Sequence, residues 1–168
     1  MRTRRSIRDV ALAAAGALLA GIGLAACGPF GEGEELSKAE FVARGDEICK
    51  EGREKYLELQ KEPPQSAAEA AELTRSLIEI TEDEIDELRD LNAPPGSEDA
   101  LEDYIDSRES GLDVLEEGLA AAQDENAGKY AEAQARVARE QVDRARLAEN
   151  VGFSECSQPL TGGSGGGG

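Results

Sequence analysis

Four stretches of this chain place apolar residues three and four positions apart, and helix-breaking residues close each stretch. That pattern predicts four α-helices. In the third, Leu101, Ile105, Arg108, Leu112, Leu115, Leu119 and Ala122 follow one another in alternating steps of four and three. This is a bundle seam with one foreign member, Arg108. Ser97 is its expected cap, Glu98 and Asp99 suit its first turn, and it reaches about Gln123. The first helix offers Phe41, Val42, Ile48, Cys49, Tyr56 and Leu59, between a capping box at Ser37-Lys38-Ala39-Glu40 and a stop at Pro63-Pro64. The second offers Leu77, Ile78, Ile85, Leu88 and Leu91. It starts from a second capping box, Ser66-Ala67-Ala68-Glu69, and runs to about Leu91, ahead of Pro94-Pro95-Gly96. The fourth is thinner: Tyr130, Val137, Val142, Ala145 and Ala148, with Gln134 and Gln141 on the same stripe. It follows the polar break Asp124-Glu125-Asn126 and ends near Asn150, with Gly152 just beyond. No segment alternates with period two, so no strand is predicted. Long helices joined by short loops pack antiparallel, which gives an all-α, up-down-up-down four-helix bundle.

The chain opens differently. Arg2, Arg4, Arg5 and Arg8 precede an apolar run, Val10 to Ala26, that falls short of the roughly 20 residues of a membrane span. The run closes on Leu24-Ala25-Ala26-Cys27, which resembles the lipobox of bacterial lipoproteins. The resemblance implies cleavage before Cys27 and a diacylglyceryl group on its thiol. The protein would then sit on the extracytoplasmic face of the cell membrane, held by two acyl chains where one would be marginal. Thr3-Arg4-Arg5-Ser6-Ile7 also resembles the start of a twin-arginine export signal, but Arg8 stands where a second apolar residue is usual, and an ordinary basic leader explains the arginines as well. The expected layout is a signal peptide at 1–26, a flexible tether at 27–36, the bundle at 37–158 and a Gly-rich tail at 159–168.

Charge narrows the partners. Residues 1–26 carry four arginines and one aspartate, so their removal takes the net charge from −18 to −21. Such a surface repels nucleic acid and anionic lipid headgroups, leaving the acyl chains to make the membrane attachment. The charge is also uneven. Residues 66–125 hold 20 acidic and 3 basic side chains, whereas residues 126–168 hold 5 of each, so the fourth helix is the least acidic element. Its cations, Lys129, Arg136, Arg139, Arg144 and Arg146, are expected to pair with nearby carboxylates.

With Cys27 acylated, Cys49 and Cys156 remain, and an even pair in an exported domain reads as a disulfide. Cys49 lies about 17 Å up the first helix. The residues from Asn150 to Cys156 reach about 20 Å if extended. A bridge therefore requires residues 151–156 to turn at Gly152 and run back along the first helix, burying Val151 or Phe153. The segments Leu36-Ser-Lys-Ala-Glu-Phe-Val-Ala-Arg-Gly-Asp-Glu-Ile-Cys49 and Leu147-Ala-Glu-Asn-Val-Gly-Phe-Ser-Glu-Cys156 resemble small secreted helical proteins of high-GC Gram-positive bacteria with an early and a late Cys. That resemblance carries no activity, so no catalytic residue follows from it.

The chemistry on offer is sparse. The chain has no histidine, which removes the commonest general base and transition-metal ligand, and no metal or cofactor is expected. Gly162-Gly163-Ser164-Gly165-Gly166 matches a nucleophile-elbow pattern, but it sits in a glycine tail and follows no strand. The acidic run Glu82-Asp83-Glu84-Ile85-Asp86-Glu87 lacks the spacing and glycine of a calcium loop and reads as a solvated face. One sharper constellation remains. Arg108, Glu84, Gln134 and Gln141 all fall on rows that should face the core. Either they form an internal polar pocket for a small anionic or carboxylate ligand, or Arg108 makes an internal pair with Glu84 or snorkels at a seam edge. The sequence favours a non-catalytic binding or interaction module with a small ligand or an envelope protein as partner. A carboxylate-dependent envelope hydrolase is the alternative.

Overall fold

The structure, a computed structural model, describes residues 36–159. The expected signal peptide, the acylated Cys27, all of the tether but Leu36, and all of the tail but Pro159 lie outside the described residues. Four helices and no strand are present among those described: α1 Lys38–Leu59, α2 Ala67–Arg89, α3 Glu98–Gln123 and α4 Ala127–Val151. Each is amphipathic, and together they form a four-helix bundle. None is long and apolar enough to cross a membrane.

Local chemistry explains most of the boundaries. At α1, Ser37 Oγ accepts the Glu40 N–H while the Glu40 carboxylate accepts the Ser37 N–H at 3.1 Å, a complete capping box. The bonds from Ser37 hold the Glu40 carboxyl below its usual range. The second box is only half formed. Ser66 Oγ accepts the Glu69 N–H at 3.1 Å, but the Glu69 carboxylate takes the Gln65 N–H instead. The expected Ser97 cap is absent: Ser97 sits in helical backbone and its side chain makes no cap bond, while the Glu98 carboxylate accepts the Gly96 N–H just before the helix. Asn126 caps α4 by accepting the Lys129 N–H at 3.1 Å. At the far end Gly152, at φ +102°, turns the chain, and the Gly152 and Phe153 amides return to the Glu149 and Ala148 carbonyls. A left-handed residue closing a helix in this way favours glycine.

Contacts between neighbours run in opposite directions. Along α2 and α3, Glu84 pairs with Arg108, and Thr74 lies beside Gly118. Along α3 and α4, Gly118 meets Ala133, Glu117 pairs with Arg136, and Gly111 meets Arg144. Direct packing of α1 on α4 is sparse, so α4 does not lie flush against both α1 and α3 as a closed bundle would require. The segment after α4 occupies part of that seam. Phe153 is fully buried, its ring 5.1 Å from that of Phe41 and edge-on to Tyr104. Asp46 on α1 accepts from both the Ser154 hydroxyl and the Glu155 N–H at 2.8 Å. A Cys49–Cys156 disulfide, with Cα atoms 5.0 Å apart, joins this segment to α1 across 107 residues of sequence. Closing so long a loop is worth on the order of 4–5 kcal/mol in the chain-entropy model.

The core divides into apolar layers. One holds Phe41, Ile85, Leu88, Tyr104, Val151 and Phe153. Others hold Leu77, Ile78 and Leu115, and Ala70, Ala71 and Ala122. Val142, expected inward, is 74% exposed. It stands two positions before the buried Arg144, roughly 200° round the helix, and so faces solvent.

Gly45 is the tightest point in this packing. A Cβ there would come within 2.2 Å of the Phe153 ring. Glycine-to-alanine changes on an open helix face stabilise by about 1 kcal/mol. Gly45→Ala is expected to do the reverse and destabilise by roughly 1–3 kcal/mol, because a buried ring must shift. Urea unfolding midpoints give the sign. A stabilised Gly45→Ala would mean that Phe153 is not seated on α1.

Candidate functional site

Because α1 and α4 scarcely pack on one another, the bundle keeps a cavity of about 60 Å³ with walls from all four helices and from the segment after α4. That is room for a few waters or a ligand of a few heavy atoms. Leu77, Leu115 and Val137 form apolar wall, and the Cys49–Cys156 bridge lies at one side. Glu84, Arg108, Gln134 and Gln141, the residues singled out from the sequence, all line this cavity. Arg144, which the sequence reading grouped with the surface cations of α4, lines it too and is 6% exposed.

Two small residues let the charged groups in. A Cβ at position 52 would lie 3.0 Å from Glu84 Oε2, and one at 111 would lie 2.6 Å from Arg144 Nη2. Glycine at Gly52 on α1 and Gly111 on α3 therefore clears space for side chains reaching across the bundle.

The charges are unevenly matched. Arg108 donates through Nη2 to Glu84, and both side chains are 10% exposed. Arg53 pairs with Glu155 at the rim. Arg144 is matched more loosely: Glu140, one turn back on α4, pairs with it only at 4.0 Å, beyond hydrogen-bond reach. Buried and without a hydrogen-bond partner are Arg144 Nε and Nη2, Arg108 Nε and the Gln141 amide nitrogen, against one acceptor, Glu140 Oε2.

Proton equilibria follow the same asymmetry. Burial works against the charge on Arg108, and Glu84, helped by Tyr104, more than offsets it, so Arg108 is held above its ordinary value. For Arg144, burial and then repulsion from Arg108 push it below its ordinary value. Burial raises Glu84, and the attraction of Arg108 and Arg144 only partly reverses that. The Tyr104 phenol is pushed up to about 12, chiefly by burial. Its hydroxyl touches only a weak acceptor, Cys49 Sγ at 3.7 Å.

The acidic run on α2 behaves as a helix face. Glu84 and Ile85 turn inward while Glu82, Asp83, Asp86 and Glu87 stay exposed. Among the described residues no group of three or more metal-type ligands converges. No protein-family model, curated protein or solved structure matches this chain.

The Arg108–Glu84 pair yields a direct expectation. Glu84→Gln leaves a buried guanidinium without its counter-charge, which should destabilise by about 3–5 kcal/mol. Replacing both partners, Glu84→Leu with Arg108→Met, should recover most of that loss or exceed wild-type stability. Denaturant unfolding of the three variants checks this. A loss below about 1 kcal/mol for Glu84→Gln would place the pair at the surface in solution.

Proposed function

We propose that this chain is an extracytoplasmic lipoprotein, anchored through a diacylglyceryl group on Cys27, whose helical domain is a non-catalytic binding module. Its ligand occupies the cavity between α1 and α4. The single observation behind this reading is a cavity whose lining collects guanidinium and amide N–H groups that make no hydrogen bond within the fold. Buried polar groups are almost always satisfied, and a site built to bind is a common place for the exceptions. A small ligand suits a volume of about 60 Å³ better than an envelope protein would.

One observation favours the alternative, a carboxylate-dependent hydrolase: Glu84 lines the cavity and burial raises its proton affinity, as acid–base catalysis uses. The arrangement around it supports binding instead. Glu84 is bonded to Arg108, and the other carboxylate lining the cavity, Glu155, is bonded to Arg53. A glycosidase-type pair needs two carboxylates facing a shared substrate.

Cys27→Ser should move the protein from the membrane fraction to the soluble extracytoplasmic fraction on centrifugation. Retention of the variant in the membrane would remove the anchor. For the cavity, native mass spectrometry of protein released gently from its envelope should show a small-molecule adduct that Val137→Trp, which fills the cavity, eliminates. An adduct kept by Val137→Trp would place the ligand elsewhere.

A further inference from the structure

The polar inventory of the cavity is specific enough to name a ligand class. Its lining charges are Arg53, Arg108 and Arg144 against Glu84 and Glu155, so two pairs cancel and one positive charge is left over. That charge belongs to Arg144, whose ion-pair partner Glu140 stands 4.0 Å away, makes no hydrogen bond to it and is not part of the lining. The unpartnered atoms of Arg144 are Nε and Nη2, which share one edge of the guanidinium. Two parallel N–H groups on one edge match the two oxygens of a carboxylate. Further donors belong to residues of the same lining, at Arg108 Nε and the Gln141 amide. Donors in excess of acceptors call for a ligand that only accepts.

Charge and size narrow this further. A dianion such as sulfate would replace one excess positive charge by one excess negative charge, inside a chain of net charge −18. A single negative charge balances the cavity. The apolar wall of Leu77, Leu115 and Val137 suits a short hydrocarbon rather than a second polar group. The volume of about 60 Å³ limits the ligand to a few heavy atoms.

We propose that the cavity binds a short-chain aliphatic monocarboxylate, clamped by the Nε–Nη2 edge of Arg144, with the alkyl end against Leu77, Leu115 and Val137. This rests on the reading of the cavity as the ligand site. Arg144 is the anchor and Arg108 is held in place by Glu84. A ligand of so few atoms cannot bind tightly; a dissociation constant on the order of 0.1–10 mM is expected.

The test is thermal unfolding of the full-length protein, purified in detergent and oxidised, in acetate, propionate or butyrate against chloride and sulfate at matched ionic strength. At about ten times its dissociation constant, the best carboxylate should raise the midpoint by roughly 5 °C over chloride. Arg144→Met should abolish that difference while circular dichroism still reports a folded bundle. Arg144→Lys keeps the charge but loses the two-point edge, and should retain little preference for carboxylate over chloride. Equal responses to carboxylate, chloride and sulfate that vanish in Arg144→Met would overturn the carboxylate assignment yet leave the cavity as a site. A carboxylate response that persists in Arg144→Met would overturn the assignment of Arg144. No selective response in the wild type would overturn the proposal, and an adduct lost in Val137→Trp would then show that the cavity takes another class of ligand.

Discussion

Two guanidinium groups share the middle of this bundle with one carboxylate, and the rest of the architecture is arranged around that imbalance. Removing an ion from water is costly, and only a well-placed opposite charge repays it. Arg108 has that charge in Glu84. Arg144 does not. The apolar layers lie to either side of this level, and Gly52 and Gly111 make the space through which Glu84 and Arg144 enter. A domain optimised only for stability would fill this level with leucine.

The same polar level accounts for the open seam. Helices α1 and α4 do not close on one another, so their contact is supplied from outside the helices, by Phe153 and the Cys49–Cys156 bridge. This is an economical way to hold a bundle shut at one end while leaving a cavity along its flank. Phe153 seats against Gly45, Phe41 and Tyr104, while Asp46 and Arg53 fix the backbone and side chain of the segment that follows. The disulfide limits how far that segment can move in an oxidising compartment.

Much of this was legible in the residues, for physical reasons that also show where legibility stops. The four helices follow from three-four apolar spacing and strong punctuation, and Arg108 stood out because it interrupts a regular seam. The terminal path was constrained by chain reach: Cys156 meets Cys49 only if the chain doubles back. Ser97 misled because its backbone is already helical and its side chain makes no cap bond, while the Glu98 carboxylate accepts the amide of Gly96 in the preceding turn. Arg144 was missed because the seam of α4 was threaded through Val142 and Ala145. The buried row runs instead through Ala133, Arg144, Ala148 and Val151, with Val137 and Gln141 beside it. On an alanine-rich helix several such rows are nearly equivalent, and nothing in its own sequence chooses among them. The signal that does choose lies on the facing helix. Gly111 is a helix-interior glycine, and it leaves room for a large partner.

The account therefore stands or falls on whether the buried guanidinium of Arg144 lacks a hydrogen-bonded counter-charge within the fold. The most direct measurement is the unfolding free energy of Arg144→Met relative to wild type, by urea denaturation in carboxylate-free buffer. An apolar side chain of similar length should be tolerated or preferred there, so the variant is expected to match wild type or exceed it by about 1–2 kcal/mol. A loss of about 3–5 kcal/mol would contradict the account, because it would show that the guanidinium already has a partner within the fold.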